Sequence, residues 1–167
     1  TAAILSPAYR ILGAETPLRR PMTVSVHAFV PDDMQSRTVL ATRTAKGRIA
    51  CIGGRYADGA VTATTRTTGD IFVAADTIPP RIRPLFSEGA DLGGARSIRF
   101  RVSDNFSGIA SCTLLIDGRW APCDRFPMQG TLVHTFDRPT AKKRRSVQLS
   151  VTDGCGNTAR WEGTFWR

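Results

Sequence analysis

Lysine is scarce in a chain that is nonetheless strongly basic. Of 23 basic residues set against 14 acidic ones, only Lys46, Lys142 and Lys143 are not arginine, and the formal charge is +9. Histidine is scarcer still, with His27 and His134 alone. No apolar stretch approaches the roughly 18 residues that a membrane-spanning helix needs. Thr1-Ala2-Ala3-Ile4 has neither the basic start nor the apolar run of a signal peptide. An initiator Met is also missing, which leads to the expectation that a leader or a larger N-terminal portion has been removed. No segment carries the three-to-four spacing of an amphipathic helix. No helix-turn-helix, zinc finger or RNA-stacking signature accompanies the charge, so nucleic acid is not an expected partner.

What is present is period-two alternation. In Met22-Thr23-Val24-Ser25-Val26-His27-Ala28, Ile98-Arg99-Phe100-Arg101-Val102 and Val147-Gln148-Leu149-Ser150-Val151, apolar and polar residues alternate as in half-buried strands. Shorter strands are expected over 38–42, 48–52, 60–67, 71–74, 112–116, 131–136 and 161–166. Many short strands punctuated by Gly, Pro, Asn and Asp predict an all-β chain of antiparallel sandwiches. Asp76-Thr77-Ile78-Pro79-Pro80 interrupts the pattern, because consecutive prolines donate no ladder hydrogen bond and bias the preceding residue toward extended geometry. Two immunoglobulin-like modules in tandem are therefore expected, 1–75 and 76–167. The first is slightly short, so it is expected to lack an edge strand or to borrow one from upstream. Excess positive charge is spread over both halves, with nine basic and five acidic residues before Asp76 and fourteen and nine from it onward.

Asp117-Gly118 between two apolar runs predicts a two-residue type I′ hairpin turn. Counting outward places Ile116 opposite Arg119, Leu115 opposite Trp120, Leu114 opposite Ala121, Thr113 opposite Pro122, and Cys112 opposite Cys123. Directly opposed residues lie within disulfide reach, so a Cys112–Cys123 bridge is expected. Four cysteines allow three complete pairings, and Cys51 and Cys155 stay undecided. Trp120 is expected to pack on its cross-strand partner.

Several other groups invite a chemical reading. Asp104, Asn105, Asp153 and Asn157 would offer oxygens to calcium if their loops met, but closing turns on their own backbone is the expected role. Ser103, Ser107 and Ser111 have no neighbouring histidine or nucleophile elbow, which argues against serine hydrolysis. Gly53-Gly54 lacks the Lys-Ser/Thr ending of a phosphate loop and reads as a bulge or turn. Lys142-Lys143-Arg144-Arg145 precedes a strand and is expected to form a solvated loop. Its functional reading is contact with anionic envelope polymer, through peptidoglycan carboxylates or lipopolysaccharide phosphates. Arg81, Arg83, Arg99 and Arg101 would extend that surface if they shared a face.

From Asp76 onward the series Asp76-Thr77-Ile78-Pro79-Pro80, Ser103-Asp104-Asn105-Phe106-Ser107-Gly108, Ile116-Asp117-Gly118-Arg119-Trp120 and Val151-Thr152-Asp153-Gly154-Cys155-Gly156-Asn157 resembles, in order and spacing, the C-terminal immunoglobulin-like region of lysostaphin/LytM-type metallopeptidases from Bacteroidetes-like bacteria. The first module is similar to the preceding region of those proteins through Pro17-Leu18-Arg19-Arg20-Pro21, Gly53-Gly54-Arg55-Tyr56-Ala57-Asp58-Gly59 and Thr65-Arg66-Thr67-Thr68-Gly69. The catalytic domain is not part of the resemblance. Pro31 stands four residues after His27 and Phe136 two after His134, so neither the His-x-x-x-Asp nor the His-x-His zinc motif occurs.

The resemblance implies a non-catalytic accessory region that positions or restrains a zinc peptidase domain outside this chain, with no cofactor of its own. Together with the facing cysteines it implies a periplasmic, outer-envelope or secreted location. The alternative is a stand-alone surface module binding glycan or protein.

Overall fold

A computed structural model describes residues 2–13, 16–137 and 141–167. It is almost entirely β, and the chain divides into two compact units that are not continuous segments. The first comprises Thr1–Ile78 with Asn105–Ser107 and Gly154–Asn157; the second comprises Pro79–Asp104, Gly108–Asp153 and Thr158–Arg167. Two short loops from the later part of the chain, both drawn from the motifs Ser103-Asp104-Asn105-Phe106-Ser107-Gly108 and Thr152-Asp153-Gly154-Cys155-Gly156-Asn157, thus belong to the first unit. Among the described residues no helix is long and apolar enough to cross a membrane.

In the first unit β1 (Ala3–Ile4), β2 (Tyr9–Ile11), β4 (Thr38–Arg43), β5 (Ile49–Gly53) and β8 (Gly69–Ala75) form one sheet, and β3 (Met22–His27), β6 (Arg55–Ala57) and β7 (Ala60–Thr65) form a second. The alternation in β3 points Val24 and Val26 inward, where they meet Val61 and Ala63 of their own sheet and Leu40, Ile71 and Val73 of the other. β8 is covered on both faces. Ile71 and Val73 join that core while Phe72 and Ala74 pack with Ala41, Ile49 and Phe106, which explains its unbroken apolar sequence. The one α-helix among the described residues, α1 (Asp32–Gln35), is a single turn that the sequence pattern does not announce. Gly53 and Gly54 both have positive φ, and the register of β4 against β5 shifts beside Gly53, so this pair is a bulge.

Asp76 is wholly buried in this unit. Its carboxyl oxygens accept the N–H of Ile78 at 3.3 Å and of Ser107 at 3.0 Å, its carbonyl accepts the Asn157 amide at 2.8 Å, and its own N–H donates to Arg37 O at 2.9 Å. Gly154 is required beside it, because a Cβ there would meet Ser107 O at 2.8 Å.

The second unit is a sandwich of two sheets. One contains β9 (Arg81–Pro84), β11 (Ser97–Ser103), β14 (Asp124–Phe126) and β15 (Thr131–Thr135), with a 3-10 turn, Pro127–Gln129, between β14 and β15. The other contains β10 (Ala90–Asp91), β12 (Ile109–Ile116), β13 (Arg119–Ala121), β16 (Arg144–Asp153) and β17 (Thr158–Trp166). β10 pairs parallel with β17; the remaining ladders are antiparallel. Ile98, Phe100, Val102 and Leu132 from the first sheet face Leu114, Val147, Leu149, Val151 and Phe165 from the second. Each such side chain contributes about 1.5 to 3 kcal/mol on burial. Trp161 stacks edge-on against Phe86 and Phe100, with centroids 5.8 and 5.4 Å away.

The hairpin forms in the expected register, Ile116 with Arg119, Leu115 with Trp120 and Leu114 with Ala121, around Asp117 and Gly118 at φ 50° and 72°. Cys112 and Cys123, the pair expected to form a bridge, are not joined to one another in this structure. The ladder of β12 with β13 ends at Ala121, next to Pro122, which has no N–H to donate, and on its other edge β12 pairs with β16, where Cys112 stands opposite Val151. Burial pushes both thiols above their ordinary value, and Cys112 with Asp124 raises Cys123 further.

Two outcomes follow. Asp76→Ala should lower stability by about 1 to 3 kcal/mol, since it strands two partly buried N–H donors; urea unfolding that shows less than about 0.5 kcal/mol would mean those donors find other partners. Cys112 and Cys123 should alkylate more slowly than an open cysteine near neutral pH and speed up as pH nears their raised values. Rates equal to a free thiol at neutral pH, read by peptide mass mapping, would contradict their burial.

Candidate anion-binding face

Residues opposite one another in an antiparallel ladder point to the same side of the sheet, so register alone shows which cations share a surface. On β11 the alternation buries Ile98, Phe100 and Val102 and turns Arg99 and Arg101 outward. Arg101 lies directly opposite Arg83 of β9 on one side and Thr131 of β15 on the other. Ser103 faces Arg81, and Phe126 of β14 faces Thr131. One row across the outer face therefore reads Phe126, Thr131, Arg101, Arg83, and Arg81 and Arg99 lie on the same face one pleat to either side. Side chains two apart along a strand are separated by about 7 Å and opposed ones by about 5 Å.

The four arginines are exposed, and none makes an ion pair or a side-chain hydrogen bond among the described residues. Asp124 shares this face: it opposes Val133, and Val133 in turn opposes Arg99. Asp104 borders the same surface, beside Arg101. Like charges placed directly opposite are destabilising, so the Arg83–Arg101 pair works against the sheet that carries it.

Phe126 is 44% exposed and Met128, in the turn after it, is 98% exposed. Both line, with Arg101, Asp104, Arg125 and Thr131, a surface depression of about 560 Å³. Within that depression Arg125 donates to Ile109 O.

The cation run singled out in the sequence behaves differently. Arg144 and Arg145 open β16 rather than lying in a loop. Lys142 bonds Asp91, Lys143 lies 3.4 Å from Asp117, and Arg145 donates to Asp117 at 2.9 Å. Arg144 reaches Thr164 Oγ1 at 3.3 Å. These groups are engaged by the fold, and Asp117 is their hub. Burial pushes the Asp117 carboxyl up, but bonds from Arg145, the Ser146 N–H and Lys143 outweigh it and hold it below its ordinary value.

Of the four candidate calcium ligands, one is seen to close its own loop. Asp104 accepts the Gly108 N–H at 2.8 Å and Asn157 serves Asp76, while Asn105 is exposed and Asp153 buried. His27 is an exposed strand residue. His134 Nδ1 donates to Pro122 O at 2.7 Å and its ring meets Phe136 edge-on at 5.1 Å. Trp120, expected to pack on its partner, is 68% exposed on edge strand β13 and lines a cleft of about 640 Å³ with Pro122, His134 and Phe136. A three-residue edge strand leaves the indole with no neighbour on its open side.

The family profile described as Zu5-like domain matches residues 1–76. No curated protein matches the chain. The matched segment falls in the first unit, whereas the arginine face lies wholly in the second.

The Asp117 geometry sets an acid dependence. Its folded value is lowered, so its contribution is present above the ordinary carboxylate range near pH 4 and is lost as pH falls through the lowered folded value. Asp117→Asn keeps the turn and should cost about 1 kcal/mol at neutral pH after solvent screening. In thermal melts the gap from the parent should close as the solution is acidified; a gap that persists undiminished would show that the carboxylate charge is not its source.

Proposed function

We propose that the chain is a non-catalytic β-sandwich module that attaches to anionic material of the cell envelope through the outer face of β9 and β11. The carrying observation is Arg83 opposite Arg101, flanked by Arg81 and Arg99, with no ion pair to any of them among the described residues. A fold tolerates such a pair at a cost of about 0.2 to 1 kcal/mol, and an anion bridging the two guanidinium groups reverses it. Arginine suits the task, since its planar fork takes carboxylate or phosphate oxygens two at a time. Lys142, Lys143 and Arg145 are a poorer choice of contact because their charges already meet Asp91 and Asp117.

The likeness to metallopeptidase accessory regions supplies a second part of the proposal, that the module serves a peptidoglycan endopeptidase whose zinc domain lies outside this chain. That part rests on the motif order alone, and an open reading frame without a zinc peptidase domain would remove it.

The first part is tested with purified peptidoglycan sacculi and lipopolysaccharide. Arg83→Ser/Arg101→Ser should weaken retention at low salt at least tenfold while leaving the melting temperature equal or slightly raised. Charge reversal of Lys142 to Arg145 should instead lower the melting temperature, through Asp117. Retention of the parent should fade between about 0.1 and 1 M salt as the Debye length drops from about 10 to 3 Å. Undiminished retention by the double variant overturns the proposal.

A further inference from the structure

The arginine face has an apolar border that a soluble polyanion does not use. Phe126 lies in the same cross-strand row as Arg101 and Arg83, and the adjoining turn carries Met128 almost fully in solvent. Both side chains line one depression with Arg101. Neither packs on the core of the second unit, whose members come from the opposite side of the same strands. A single exposed apolar residue is ordinary, but two next to an unpaired cationic array form a surface of mixed chemistry.

We infer that this face is a docking surface for an anionic lipid leaflet. The inference rests on the proposed envelope attachment and names its partner. Two requirements of such a partner are met at once. Anionic headgroups present a plane of phosphates, and Arg81, Arg83, Arg99 and Arg101 present guanidinium groups on one sheet face from backbone positions about 5 and 7 Å apart. Just beneath the headgroups lies hydrocarbon, which accepts the Met128 thioether chain and the Phe126 ring from the edge of the same face. The unbranched, polarizable Met side chain adapts to that disordered boundary without a fixed pocket. Charge supplies attraction and orientation, and the apolar turn supplies residence. A soluble polyanion satisfies the first of these chemistries and leaves the second in water.

The test separates the two layers of the argument. The full chain is sedimented with vesicles of phosphatidylcholine containing about 30% phosphatidylglycerol, with vesicles of phosphatidylcholine alone, and is titrated in parallel with soluble polyphosphate. The parent should bind the anionic vesicles and the polyphosphate but not the neutral vesicles. Arg83→Ser/Arg101→Ser should weaken vesicle binding about thirtyfold, from roughly tenfold or less per basic residue, and should weaken polyphosphate binding as well. Phe126→Ser/Met128→Ser should weaken vesicle binding about tenfold and leave polyphosphate binding unchanged. These residues are exposed, and a melting curve matching the parent confirms that each variant folds. Binding of polyphosphate but not of anionic vesicles would overturn the lipid inference and leave the envelope reading intact. Binding of neither would overturn both, and a Phe126/Met128 variant that binds vesicles as the parent does would overturn the inference alone.

Discussion

The first unit depends on how a single acidic residue is kept out of water. Asp76 has no exposure, and a buried carboxyl group is tolerated only when its oxygens are met by donors. Those donors come from Ile78 immediately downstream and from Ser107, thirty-one residues away, while Asn157, eighty-one residues away, bonds its carbonyl. The consequence is architectural. Loops 105–107 and 154–157 belong to the first unit because Asp76 and its neighbours need what they carry, and Phe106 follows by packing against Phe72 and Ala74.

The arginine face depends on a more local rule. The period of two that buries Ile98, Phe100 and Val102 forces Arg99 and Arg101 to the other side, and β9 repeats it with Ile82 inside and Arg81 and Arg83 outside. A core requirement on one face thereby becomes a charge pattern on the other. Asp117 shows the opposite case, in which a turn residue at positive φ also gathers Lys143, Arg145 and the Ser146 N–H from β16 and its approach.

Much of this was legible in the sequence because it rests on neighbours along the chain. Alternation identified β3, β11 and β16 as half-buried strands, and Asp117-Gly118 set the hairpin register. What was not legible depends on distant partners. Nothing adjacent to Lys142 or Arg145 shows that Asp91 and Asp117 hold them, so a run of cations looked free when it is engaged. The register counted outward to Cys123 ran past Pro122, next to which the ladder ends. Trp120 was assigned a packed position from its cross-strand partner, yet an edge strand has only one neighbour. Arg81, Arg83, Arg99 and Arg101 were visible as candidates, but their common face depends on the pairing of β9 with β11, which the sequence does not specify.

The opposition of Arg83 and Arg101 has a thermodynamic corollary. A sheet that holds two like charges in direct register is complete in its hydrogen bonds but short of one counter-charge. Whatever anion occupies the face acts as the missing member of the fold, and by mass action it stabilises the folded state as its concentration rises above its dissociation constant. Melting temperature then becomes a report on occupancy, and the protein is sturdier attached than free.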